Sequence, residues 1–188
     1  HDMPGVSMTK APQTVGIYYT YRELARSIEG IALHQDGAVN VSDPRGGADP
    51  QRIASAWITG NLLPVLKVAP LLGRNFSEAE DVTNGPNVAL ISEGLWRSRF
   101  GADPGIVGRT IEVSGRTREI VGVMPQRFRF PSASTQIWFP LQLDRNDQYP
   151  GGFNYQAVAR LAPGMTVEAA QPDFAAVLPR FSELFPNL

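Results

Sequence analysis

Apolar and polar positions follow two different periods along this chain, and the change of period is sharpest between Val88 and Pro125. Val88-Ala89-Leu90-Ile91 is a short, wholly apolar run, the pattern of a buried strand. Ser92 is a good helix N-cap, Leu95, Trp96 and Phe100 recur at helical spacing, and Gly101 stands where a left-handed C-terminal residue belongs. Thr110–Val113 and Thr117–Val121 then alternate with period two around Ser114-Gly115, which predicts a β-hairpin. The stretch reads as strand, helix and hairpin. Leu95, Trp96 and Phe100 are expected to pack on the sheet that these strands form.

The flanking segments give weaker patterns. Residues His1 to Thr14 show no period and read as a frayed terminus or a short extended lead. Thr20-Tyr21-Arg22-Glu23 has the form of a capping box, and Tyr21, Leu24 and Ile28 continue it as a helical stripe that Gly30 ends. Ile31–Leu33 and Ala38–Val41 read as a strand pair bent at Asp36-Gly37, before a Gly/Pro/Asp-rich loop from Ser42 to Pro50. Arg52 to Thr59 alternates and predicts a strand, and Asn61–Leu66 a short apolar helix. Ser77 to Glu80 is either a second capping box or the start of a solvated acidic loop. Ile137–Leu141 and Gln156–Leu161 read as strands, with a polar crossing between subdomains from Asp144 to Gly152. Thr166 is a candidate N-cap for a last helix carrying Phe174, Val177, Leu178, Phe181, Leu184 and Phe185, kinked at Pro179.

Charge and composition exclude several classes. Seventeen basic residues stand against eighteen acidic ones, so the chain has no field that attracts nucleic acid or an anionic membrane surface. No apolar run approaches the roughly 18 residues needed to span a bilayer. Cysteine is absent, which removes thiol catalysis, disulfides and thiolate metal sites. The start at His1-Asp2-Met3 and the end just after an apolar helix suggest a domain cut from a longer protein.

Candidate chemistry is sparse. No Walker-type phosphate loop, dinucleotide-binding glycine fingerprint or nucleophile elbow occurs. No catalytic, cofactor-binding or metal-ligating residue is therefore assigned. His34 reads as a surface or strand-edge residue, because it lacks the partners a catalytic histidine needs. Glu78, Glu80 and Asp81 fit either a hard-cation site or favourable charges at a helix N-terminus. Trp57, Trp96 and Trp138 sit in periodic apolar contexts that suit a core. Arg127, Phe128 and Arg129, with Trp138, are the candidate partner-docking residues: the arginines could bind an anion or stack on a partner's aromatic group, or simply form the wet face of an extended segment.

Several motifs, in order, resemble one family. Residues 61–76, NLLPVLKVAPLLGRNF, are similar to the "S-x-N-F-F-x-V-L-G-V-x-P-x-x-G-R-x-F" segment of MacB-like periplasmic core domains. Val88 to Gly101 resembles that family's "V-A-V-L-S-x-x-L-W-x-x-R-F-G", and Asp103 to Ile111 its "D-P-x-x-V-G-R-x-I/L". Ile120–Pro125, Phe128–Pro131 and Ala159–Gly164 continue the series, while Leu63, Lys67, Pro172 and Pro179 depart from it.

The resemblance implies an α+β fold of two subdomains: a discontinuous porter-like α/β subdomain, residues 3–79 and 147–188, with an inserted Sabre-like mixed α+β subdomain, residues 80–146. It implies the extracytoplasmic domain of a bacterial ABC transporter permease of the MacB/FtsX/LolC type, similar to acidobacterial-style permeases. Such a domain is non-catalytic and binds no cofactor. It couples ATP hydrolysis by a cytoplasmic ATPase to work on a periplasmic substrate or partner protein, through membrane helices and beside a second permease copy. Two rival readings belong to other classes. A free-standing peptide- or sugar-binding module predicts a pocket lined by aromatics such as Tyr18, Tyr19 and Trp138. A hydrolase predicts a carboxylate pair, for which Glu112 and Glu119 are hairpin neighbours at best.

Overall fold

The computed structural model describes residues 6–42, 50–146 and 154–185. The chain divides into two compact units, residues 1–35, 61–67 and 143–188 in the first and residues 36–60 and 68–142 in the second. The fold is mixed α+β, as expected.

The first unit is built on a central strand, Tyr155–Leu161. The strand Val6–Gln13 (β1) pairs antiparallel with it on one side, and the first part of Ile28–Val41 (β2) on the other, with Ile31 opposite Ala159. Of the two readings of the lead, frayed or extended, the described part takes the extended one, as an edge strand. The helix Val15–Leu24 (α1) begins six residues earlier than predicted: the Thr14 hydroxyl accepts from the Ile17 amide and caps it, while Thr20 turns its own hydroxyl back to the Gly16 carbonyl. A Cβ at Gly16 would lie 2.5 Å from the Phe181 ring, so a side chain there displaces that ring.

Leu62–Leu66 (α2) is the predicted short helix, and the Arg160 side chain donates to its Val65 carbonyl at 2.6 Å. Thr166 caps the helix Val167–Val177, and the chain breaks near Pro179 as expected, through a 3-10 turn at Leu178–Arg180 into a last short helix, Phe181–Leu184. The Asp173 carboxylate accepts from the Arg26 and Ser27 amides, each at 2.8 Å, and so fixes the chain where it enters β2. These hydrogen bonds hold its carboxyl below the ordinary carboxylate range.

In the second unit the strand pairings run in a ring. Gln51–Ile58 (β3) lies beside β2 and parallel to Ile137–Pro140, which is antiparallel to Val88–Ser92. That strand is parallel to Arg116–Met124, which pairs in the hairpin with Thr110–Val113. Val113 returns to Val41 at the end of β2. In chain order we number Leu72–Gly73 β4, Val88–Ser92 β5, Thr110–Val113 β6, Arg116–Met124 β7, Ile137–Pro140 β8 and Tyr155–Leu161 β9. The helices are α2 as above, Glu93–Phe100 α3, Val167–Val177 α4 and Phe181–Leu184 α5.

Alternate residues of the strands fill the ring, namely Val39 and Val41, Ile53, Ala89 and Ile91, Ile111 and Val113, and Ile137 and Phe139, while Ile120 and Val123 stand three apart across a register shift in β7. From α3, Leu95 and Trp96 join the same core, and Phe100 packs against it. Ser92 caps α3 through the Leu95 amide, Gly101 ends it at φ 62°, and Ser114 and Gly115 both take positive φ in the hairpin turn.

One expectation fails here. Asp36-Gly37 does not turn the chain; β2 continues straight through, and Gly37 is covered by Trp57, whose ring would lie 2.7 Å from an added Cβ. Residues 36–60 and 68–79 group with residues 80–142 in the second unit. The cause is pairing, since β3 lies along β8 and β4 along β7. The loop from Ser42 to Pro50 and the crossing after Asn146 lie largely outside the described residues.

Candidate partner-binding surface

The four candidate docking residues separate by burial. Arg127 and Arg129 are exposed, whereas Phe128 is 6% exposed and Trp138 fully buried. Phe128 lies 5.2 Å from the Trp138 ring, and the indole N–H of Trp138 donates to the Phe130 carbonyl at 2.8 Å. Alternation in the extended segment after β7 explains the split: Phe128 and Phe130 turn inward and the two arginines outward. Phe128 and Trp138 are thus core residues with no face for a partner, because large aromatic surfaces gain most from burial. The Glu93 carboxylate accepts from the Gln126 amide at 3.1 Å and ties this turn to α3.

One charged residue that sequence reasoning passed over sits inside the second unit. Arg118 stands opposite Ile111 in the hairpin and so faces the same side as that core residue. Its guanidinium lies 4.3 Å over the Phe139 ring, a cation–π contact, and its buried Nε–H has no hydrogen-bond partner. Burial, and then the neighbouring Arg116, push its pKa down. The signal was present in the sequence: Arg118 keeps the period-two phase of Ile120.

The acidic cluster is a strut. Glu80 takes both guanidinium nitrogens of Arg74, at 2.8 and 2.7 Å, and also accepts from the Ser77 amide at 2.7 Å. Ser77 and Glu80 keep one half of a capping box, in a turn with no helix behind it. Asp81 accepts from the Gly60 and Gln142 amides. Glu78 does not join a ligand set; among the described residues no three His, Cys, Asp or Glu side chains gather as a metal site. His34 is 1% exposed in β2, opposite Gln156, and not on a surface or an edge. Glu112 pairs with Thr117 and Glu119 with Thr110, so the two glutamates are not opposite each other. Tyr18 is also buried, at 1% exposure.

The motif residues carry geometry. Gly73 has φ +73°, and a Cβ there would lie 2.2 Å from the Val121 carbonyl oxygen, while the next residue, Arg74, holds Glu80. Asp103 accepts from the Gly105 amide and pairs with Arg109 at 2.7 Å, and its carbonyl takes the Trp96 indole N–H at 2.8 Å. The motif starting at Val88 is thereby joined to the motif starting at Asp103.

Residues 5–177 match the MacB-like periplasmic core domain, and the chain belongs to that family. It is a periplasmic domain of a MacB-like ABC transporter permease. Similar solved structures share its fold. One is the periplasmic region of MacB from Actinobacillus actinomycetemcomitans, with TM-score 0.67 and 14% identity, covering 92% of this chain and 76% of that one. A domain of a permease protein from Porphyromonas gingivalis has TM-score 0.69 at 16% identity, covering 99% and 87%. The extracellular domain of the ABC-type transporter YknZ from Gram-positive bacteria gives 0.62 at 12%, covering 98% and 87%. No curated protein matches the chain. No described helix is long and apolar enough to cross a membrane.

Proposed function

We propose that this domain performs no reaction and transmits motion. A cytoplasmic ATPase hydrolyses ATP, membrane helices of the permease carry the change outward, and two copies of the domain do work on a periplasmic substrate or partner protein. Efflux, lipoprotein extraction and signalling are the forms of work open to it. The match of residues 5–177 to the family carries this reading. In it, the first unit is the porter-like part and the second the Sabre-like insert, with revised boundaries. Packed units that have two discrete arrangements can amplify a small shift at one end. Of the four candidate docking residues, Arg127 and Arg129 remain available to an acidic partner.

The test is the full-length protein in its membrane. Membrane helices are expected on both sides of residues 1–188, and an ABC ATPase should co-purify with it in stoichiometric amount. A full-length protein with no membrane helix on either side, or one that retains no ATPase, contradicts the reading.

A further inference from the structure

The first unit contains a cavity of about 300 Å³ between the β2–β9 sheet and the helices α1 and α4. Its floor is mostly apolar, with Ile31, Ala157 and Ala170 all at most 3% exposed, and the buried Gln13 is a polar residue in the lining. Tyr21 and Phe174 form a wall, packed edge to face with centroids 4.8 Å apart. Burial pushes the Tyr21 hydroxyl pKa up, in keeping with a poorly hydrated wall. The cavity exists because small residues sit where α4 faces the sheet. Alanine occupies positions 157, 159 and 170, and larger side chains at those places would close it.

We propose that this cavity binds a small neutral aromatic molecule, bicyclic in size, with one polar group held at the mouth. Size, charge and polarity each narrow the ligand. An apolar cavity of about 150 Å³ is enough for benzene, so about twice that volume suits two fused rings. Among the described residues no charged side chain lines the cavity, and moving an ion into such a site carries a large desolvation cost, which favours an uncharged ligand. At the outer end Val167 and Gln171 are exposed, and the Gln171 amide can both donate and accept there. The rings then lie against Tyr21 and Phe174, with the polar group directed to Gln171. This inference does not depend on the transport reading.

Indole, a neutral bicycle with one N–H donor, is the probe, titrated into the 188-residue chain by calorimetry. The expected result is saturable one-to-one binding, with benzoate, an anion with as many non-hydrogen atoms as indole, binding at least ~10-fold more weakly. Ala170→Leu fills the cavity from the helix side and Ala159→Val from the sheet side. Each should weaken indole at least ~10-fold, and the second keeps the test open if the first disturbs α4. Equal indole binding by a folded filled variant overturns the proposal, as does the absence of saturable binding below the solubility limit of indole.

Discussion

Replacing Trp96 with alanine should lower the unfolding free energy by about 3–5 kcal/mol, the range for deleting a large aromatic from a core. Trp96 is 9% exposed and shares the core inside the strand ring with Leu95, Ile106 and Ile111. It also spans two structural features, since its indole N–H donates to the Asp103 carbonyl at 2.8 Å. Alanine removes the ring and one of the two donors to that carbonyl, which keeps the Ile106 amide, so the cavity cost dominates. Urea unfolding followed by circular dichroism reads the effect. Trp96→Phe separates the parts: most of the packing returns, while the hydrogen bond is still missing. An unchanged midpoint for Trp96→Ala would mean that the ring is not part of the core.

Glu80→Gln should cost about 2 kcal/mol at neutral pH, between the value of an exposed ion pair and that of a broken buried one. The Glu80 side chain is 8% exposed, but its partner Arg74 is 53% exposed, which weakens the pair through solvent screening. The hydrogen bonds from Arg74, with help from Ser77, pull the Glu80 pKa down from 4.5 to about 2. A carboxyl whose folded pKa lies below its unfolded value adds stability above the unfolded value and loses it as pH falls through the folded one. The wild-type advantage over Glu80→Gln should therefore be full above about pH 4.5 and gone near pH 2. Thermal unfolding of both proteins across that window checks it; a constant difference down to pH 2 would place the effect in shape rather than charge.

Local signals made β5, α3 and the β6–β7 hairpin legible in the sequence, because each is bounded by its own residues: Ser92 as cap, Gly101 as stop, Ser114-Gly115 as turn. Segments defined by distant partners were not legible. Strand β1 has no alternation to reveal it, and it is a strand because β9 lies beside it. Thr20 matched a capping box better than Thr14 did, yet its hydroxyl is spent on the Gly16 carbonyl and Thr14 holds the helix end. Strand β2 continues through Asp36-Gly37 with the Trp57 ring beside the glycine, a contact no local pattern encodes. The same holds for the docking surface. Arginines flanking a phenylalanine suggested an exposed aromatic, and only the packing of Phe128 on Trp138 shows that the arginines alone face outward.

The central claim is that the domain moves with the ATPase cycle, and the chain is well suited to a direct measurement because it contains no cysteine. Arg116, exposed at the start of β7, can be changed to cysteine and spin-labelled in the full-length permease, reconstituted in bilayers with its ATPase. The distance between labels on the two permease copies is then read without nucleotide and with hydrolysis trapped by vanadate. Transmission predicts two distinct distance distributions, and a single one when a hydrolysis-deficient ATPase is substituted and no nucleotide is bound. One unchanging distribution in every state, while the wild-type ATPase turns over, would contradict the account.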